Sequence, residues 1–183
     1  GSLTLEQAIA SSCDVYFYQL GLRLGVTNVV EDGVRFGFHE RTDVDLPGEL
    51  VPAYPTSREY YDRLYGRGRW SDVSGIAMNL AIGQGENAQT LINMVRFYAA
   101  LSNGGHFVKP YGVLTIENSR GDLLYDRKRD EPPPEQIFAL HDIEQLNTMM
   151  RRVVAEGTAQ AADLDYTYVI GKTGTTSSHR DAW

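Results

Sequence analysis

Ser11-Ser12-Cys13-Asp14-Val15-Tyr16-Phe17-Tyr18-Gln19-Leu20-Gly21 sets a run of small polar residues directly before an apolar stretch. Short polar side chains can accept hydrogen bonds from the free N–H groups of a first helical turn, so this reads as a helix start at Ser12 to Asp14, with the helix over residues 15–24. Apolar positions at near-helical spacing begin earlier, at Leu3, and are interrupted only at 11–14. Near the other end of the chain, the β-rich run Tyr166-Thr167-Tyr168-Val169-Ile170 leads into Gly171-Lys172-Thr173-Gly174-Thr175, which reads as a strand carrying Lys-Thr-Gly.

Between these two stretches the pattern predicts a short helix over 29–36, stopped at Gly37, and then the loop Asp45-Leu46-Pro47-Gly48-Glu49. Residues 52–72, rich in Tyr and Arg, show no clean period and read as a long surface excursion. Residues 76–82 read as a strand. Over 89–101, Leu91, Met94, Val95, Tyr98 and Leu101 share one helical face, with Thr90 near the start and Gly104-Gly105 at the end. Alternation on either side of Asn118-Ser119-Arg120-Gly121 predicts a β-hairpin, and Pro132-Pro133-Pro134 then breaks regular structure. Ile143, Leu146, Met150, Val153 and Val154 mark a further amphipathic helix, opened by Asp142 and closed at Gly157.

Composition narrows the function classes. The 183 residues are 42% hydrophobic, enough for one core. The net charge is −7 with only three lysines, Lys109, Lys128 and Lys172, which argues against a nucleic-acid partner. Cys13 is the single cysteine, so an internal disulfide and a cysteine-based zinc site are excluded. His39, His106, His141 and His179 are scattered without metal-ligand spacing, although His179 follows Thr175 closely enough to border a groove there. No apolar run approaches the ~20 residues of a membrane-spanning helix.

Two motifs compete for the chemistry. Gly83-Gln84-Gly85-Glu86-Asn87-Ala88 fits the G-x-G-x-x-A dinucleotide pattern between an expected strand and a helix. The acidic residue that should hold the ribose about 20 positions on is missing, since that neighbourhood is Ser102-Asn103-Gly104. A glycine-permitted turn into a helix is the preferred reading there, with a dinucleotide-binding enzyme as the alternative. Lys172-Thr173-Gly174 alone is a weak match. With Ser12-x-Asp14 before it, it supplies two of the three motifs of the serine acyl-transfer enzymes that recognise penicillin, in their order.

The flanks make the match specific. Ser12 to Gly21, Asp45-Leu46-Pro47-Gly48-Glu49, Ile82-Gly83-Gln84-Gly85, Ala99-Ala100-Leu101-Ser102-Asn103-Gly104-Gly105 and Glu156-Gly157-Thr158-Ala159 resemble, in order and spacing, the transpeptidase domain of the penicillin-binding proteins. The resemblance covers essentially the whole chain. It is nearest to the elongation-type, class B group that includes penicillin-binding protein 2, while Arg180-Asp181-Ala182-Trp183 also resembles the bifunctional class A group.

The resemblance implies an α/β (α+β) fold of the penicillin-recognising, β-lactamase-like type: an antiparallel sheet packed with helices, with the Lys-Thr-Gly strand lining the cleft. It implies D,D-transpeptidation of peptidoglycan, with stem peptides and β-lactams as ligands and no metal or organic cofactor. A membrane anchor is expected outside this chain, with the catalytic domain on the periplasmic side of a bacterial inner membrane, and cell-wall elongation proteins are admitted as partners. By family analogy Ser12 relays protons toward Lys172, and Asp14 hydrogen-bonds the substrate's backbone amide. Lys172, Thr173 and Thr175 face the substrate carboxylate, Gly174 leaves room for the substrate, and the Thr175 N–H is an oxyanion donor.

The third motif is absent. No serine has a lysine three residues later: Lys109 follows His106 at that spacing, Lys128 follows Tyr125 and Lys172 follows Val169. Residues 1–183 are therefore expected to be a partial transpeptidase domain, truncated at both ends, that begins downstream of the nucleophile. A catalytically inactive β-lactam sensor or scaffold of the same fold is the other open reading.

Overall fold

The computed structural model describes residues 2–69 and 74–174. Helix α1 (Leu5–Ala10) opens with a reciprocal cap: Thr4 Oγ1 accepts from the Gln7 N–H at 3.3 Å while Gln7 Oε1 accepts from the Thr4 N–H at 2.9 Å. Helix α2 (Asp14–Arg35) follows, with its helical dihedrals broken at Gly25 (φ 78°, ψ 153°). Only glycine adopts that conformation cheaply, so α2 is two helical segments joined at one residue, as the separate patterns over 15–24 and 29–36 suggest.

Helix α4 (Ser74–Ala81) packs under α2, and helix α3 (Arg58–Tyr65) joins them through Tyr61. Val26, Val30, Tyr61, Ile76, Ala77 and Leu80 form the buried cluster between them. Gly21 sets the α2–α4 separation, because a Cβ there would lie 2.6 Å from the Ala77 carbonyl oxygen and 2.7 Å from the Ala81 Cβ.

Two expectations fail here. Residues 76–82 are not a strand: 76–81 lie in α4, whose Ile76, Ala77 and Leu80 are buried at helical spacing. A short apolar run has the same composition in a buried helix as in a buried strand, so periodicity cannot separate them. Nor is 52–69 wholly a surface excursion: residues 63–69 are exposed, but the part before them reaches the core. Pro55 and Tyr61 are buried, and Tyr54 donates from its hydroxyl to the Val29 carbonyl at 3.0 Å while lying against Gly33. Aromatic side chains supply this core without periodicity, which is why the pattern misses it.

Helix α5 (Leu91–Ser102) is capped by Thr90, whose hydroxyl accepts from the Asn93 N–H at 3.3 Å. Its orientation differs from the apolar face read in the sequence. Leu101 is buried, but Leu91, Val95 and Tyr98 are 64%, 56% and 40% exposed, and the buried face carries Asn93, Arg96 and Ala100. Backbone carbonyls beyond α2 decide this. The Asn93 amide donates to the carbonyls of Gly37 and Glu40 at 3.1 and 3.0 Å, and Arg96 donates to Gly37 at 3.2 Å. Leaving such acceptors unpaired costs about 1–3 kcal/mol each, comparable to what burying one apolar side chain returns. Phe36, Phe38, Phe97, Phe107 and Phe138 pack around this junction.

The remaining strands form two separate antiparallel pairs: β1 (His106–Phe107) with β4 (Glu135–Gln136), and β2 (Thr115–Glu117) with β3 (Leu123–Asp126). The β2–β3 turn is the expected hairpin. Asn118 Oδ1 accepts from the N–H groups of Arg120 and Asp122, and Gly121 takes φ 84°. The Asp45 carboxylate accepts from the N–H groups of Gly112 and Val113 at 2.5 and 2.9 Å, and these bonds lower its pKa. The short helix α6 (Arg127–Asp130) links β3 to the segment leading to β4.

Helix α7 (Leu140–Ala155) buries Ile143, Met150, Val153 and Val154; Asp142 lies in its first turn, and Ala139 takes the cap position. It packs on α1 and ties to α5 through the Asn147 amide, which donates to the Leu101 carbonyl at 3.0 Å. After α7 a single 3₁₀ turn (Gln160–Ala162) precedes the irregular segment 163–174. The expected strand over 166–170 and Lys-Thr-Gly does not form among the described residues. A strand needs a neighbour for its ladder, and this backbone is held otherwise: the Val169 carbonyl accepts from Arg151, and the Gly171 N–H donates to Met150. The described residues are thus α+β, and no helix among them is long and apolar enough to cross a membrane.

Gly157 is where α7 meets α1. A Cβ there would fall 2.2 Å from the Ala10 carbonyl oxygen and 2.9 Å from Val153 backbone atoms. Gly157→Ala is expected to destabilise this domain by about 2 kcal/mol, read in the full-length protein as a fall of about 4–8 °C in Tm.

Candidate active site

The site is assembled from the two ends of the chain. Helix α1 ends in a Schellman arrangement: the Cys13 N–H donates to the Ala8 carbonyl at 2.9 Å and the Ser12 N–H to the Ile9 carbonyl at 3.2 Å. This places Ser12 at the left-handed position after the helix, with φ 51°. Glycine usually fills that position, because a side chain there costs about 1–2 kcal/mol. Serine is held instead, and its hydroxyl is turned to a partner.

That partner is Lys172, which donates from Nζ to Ser12 Oγ at 2.7 Å and to the Thr173 carbonyl at 2.9 Å, with Thr173 Oγ1 at 3.5 Å. Partial burial lowers the Lys172 pKa below its usual value, and the charge of Asp14 acts in the opposite direction. An ammonium near such a hydroxyl can exchange protons with it more readily than a fully solvated lysine can. Asp14 is exposed in the first turn of α2, where the helix dipole favours a carboxylate, and the expected capping by the Ser12 and Asp14 side chains does not occur: the cap residue is Cys13, with no side-chain bond.

A second set of residues locks the two ends together. The Thr158 N–H donates to the Ala10 carbonyl at 3.2 Å, and its hydroxyl lies 2.8 Å from Thr173 Oγ1. Arg152 pairs with Glu6 at 2.8 Å across the α1–α7 junction and also with Glu156. Arg151 forks onto Asp163 at 2.7 and 3.2 Å, donates to the Val169 carbonyl at 3.1 Å, and stacks its guanidinium 5.1 Å from the Tyr168 ring. Sequence reasoning assigned no role to Thr158 or Arg151. The stretch Glu156-Gly157-Thr158-Ala159 was a signal for the first, while Arg151 carried none, being one of two adjacent arginines on a helix.

Of the residues expected from the sequence, the fold brings Ser12, Lys172 and Thr173 into hydrogen-bonding contact, puts Asp14 near enough for its charge to act on Lys172, and has Gly174 next in the chain. Thr175 and His179 lie outside the described residues. Gly83-Gln84-Gly85 is a turn with φ 75° at both glycines, and it follows a helix, which removes the strand that the dinucleotide reading requires. An open cavity of about 410 Å³ runs along the first turns of α2, lined by Leu3, Cys13, Tyr16, Leu20 and Arg23 among others, on a face that Ser12 and Lys172 do not line.

The family model of the penicillin-binding protein transpeptidase domain matches residues 1–181. The chain belongs to that family. Among curated relatives, it is 27% identical over 177 residues to the peptidoglycan D,D-transpeptidase MrdA of Acinetobacter baumannii, covering 96% of this chain and 25% of the relative. It is 30% identical over 183 residues to the Haemophilus influenzae protein of the same name, covering 96% and 26%. The transpeptidase chain thus spans about a quarter of the length of these relatives. Among solved structures, penicillin-binding protein 2 of Pseudomonas aeruginosa in complex with WCK 5153 superposes with a TM-score of 0.76 at 31% identity, covering 97% of this chain and 39% of that one.

Two outcomes test this geometry. Ser12→Gly and Ser12→Ala both delete the hydroxyl, but only glycine relieves the left-handed backbone, so the glycine variant is expected to be the more stable by about 1 kcal/mol in thermal unfolding. For Lys172, a lowered native pKa means that the native state releases this proton before the unfolded chain does. Its contribution to stability therefore rises with pH on approach to the unbound value of 10.5 from below. The difference in stability between wild type and Lys172→Met, followed across that range, isolates the term. Tyr54, whose pKa is pushed up to about 12 by burial, acts with the opposite sign above pH 10 and cancels in the difference.

Proposed function

We propose that the protein carrying this chain is a peptidoglycan D,D-transpeptidase working through a serine acyl-enzyme, and that residues 1–183 are part of its transpeptidase domain. The observation that carries the reading is the 2.7 Å contact between Lys172 Nζ and Ser12 Oγ, which joins two family motifs 160 residues apart. The nucleophilic serine comes from sequence outside these residues, since no serine here has a lysine three positions on. It attacks the penultimate D-alanine carbonyl of a stem peptide, the C–N bond breaks, and terminal D-alanine leaves with the serine's proton. The amine of a neighbouring peptide then attacks the ester and releases a proton back to the serine oxygen. A β-lactam ring opens on the same serine without losing a fragment, so its acyl-enzyme persists.

Each residue has a task in this scheme. The Ser12 hydroxyl accepts at oxygen while donating its own proton, and Lys172 beside it supplies positive charge, so the pair relays protons at the reacting centre. Lys172, Thr173 and Thr175 receive the substrate carboxylate, and Gly174 leaves space beside them. Asp14 accepts from the substrate's backbone amide, and the Thr175 N–H steadies the oxyanion. Relatives named as peptidoglycan D,D-transpeptidases support this reading. On it, the protein acts at the outer face of a bacterial inner membrane, with its anchor outside residues 1–183 and cell-wall elongation proteins as partners.

Fluorescent penicillin is expected to label the full-length protein on a serine preceding Leu3, mapped by peptide mass, with labelling slowed at least tenfold by Lys172→Ala. Absence of label on well-folded full-length protein would replace the enzyme reading with that of an inactive sensor or scaffold.

A further inference from the structure

The geometry points to Thr158 as a positioning residue of this site: its hydroxyl donates to Thr173 Oγ1 and thereby turns the Thr173 proton toward the substrate carboxylate. The inference rests on the transpeptidase reading and adds to it a residue from the α7 end of the fold.

The two hydroxyl oxygens are 2.8 Å apart, and distance alone permits either to be the donor. A bound substrate carboxylate decides the direction: an anion can only accept, so the single Thr173 proton goes to it and the Thr158 hydroxyl is the donor. The Lys172 ammonium can only donate, and its Nζ lies 3.5 Å from Thr173 Oγ1 and 2.9 Å from the Thr173 carbonyl. Its charge holds the Thr173 oxygen toward the cation and the proton away from it. With Lys172 on one side and the Thr158 hydroxyl donating on the other, the acceptor capacity of Thr173 Oγ1 is used. Its single proton is then left for a third group, which suits an anion that can only accept. Were the direction reversed, the Thr173 proton would be spent on Thr158, and a carboxylate would meet a bare oxygen lone pair.

Thr158 is placed to serve as that donor because its backbone is fixed. Its N–H is bonded to the Ala10 carbonyl at 3.2 Å, the Ala159 N–H is bonded to Val153 at 3.0 Å, and Gly157 before it has no room for a side chain. Its β-branched side chain adds restriction at χ1. The same residue thus joins α1, which leads to Ser12, to the Thr173 hydroxyl.

The test compares acylation rates of the full-length protein by benzylpenicillin and by its methyl ester, which lacks the anionic carboxylate. Thr158→Val, which keeps the shape and removes the hydroxyl, is expected to slow the free acid about three- to tenfold and leave the ester rate within twofold. Thr158→Ser is expected to restore the free-acid rate, and Thr158→Val is expected to add nothing in a Thr173→Val background. Equal slowing of acid and ester, an unchanged acid rate in Thr158→Val, or a full effect without the Thr173 hydroxyl would each overturn the inference while leaving the transpeptidase reading in place. Failure of wild type to acylate would sink both. The ester control is read within each variant, so a loss of folded protein moves both rates together and cannot imitate the expected result.

Discussion

The carbonyl of Ala10 is the hinge on which the site depends. It is the last carbonyl of α1, with no intrahelical partner of its own, and it is capped by the Thr158 N–H from beyond α7. This exchange is feasible only because Gly157 lets the two chains come within the space of a hydrogen atom at that point. Once α1 and α7 are joined there, the Schellman turn after α1 fixes Ser12, the segment after α7 fixes Lys172 and Thr173, and the lysine spans what remains. The Ser12–Lys172 contact is therefore the by-product of a helix end satisfied by a distant backbone.

Burial and charge then divide the work. Carbonyls beyond α2 draw Asn93 and Arg96 inward on α5, whereas the Lys172 ammonium stays half-buried. The first arrangement gives a rigid support. The second holds an ammonium on the Ser12 hydroxyl and on the carbonyl and hydroxyl of Thr173, which on the proposed function is where protons pass and the ligand carboxylate arrives.

The sequence was most legible where short-range chemistry governs. The hairpin around Asn118 and Gly121 and the start of α5 at Thr90 follow from dihedral and hydrogen-bond rules that act within a few residues. Ser12 and Lys172 were legible as a pair only because their flanks resemble a family, since nothing local ties residue 12 to residue 172. Three features were hidden for identifiable reasons. Residues 76–81 had the composition of either a buried helix or a buried strand. Tyr54 and Tyr61 filled the core without periodicity. The inward face of α5 was set by acceptors at Gly37 and Glu40, far away in sequence.

The left-handed backbone at Ser12 also limits how this position can drift. Only glycine, asparagine and aspartate tolerate that conformation readily, and each would change the lysine's neighbour in kind. Glycine would leave the ammonium facing solvent, asparagine would offer it an amide oxygen that releases no proton, and aspartate would trap it as an ion pair. On the proposed proton relay, the residues that fit the turn better are poor proton carriers, so backbone geometry and proton chemistry pull the position in opposite directions, and serine is the compromise between them.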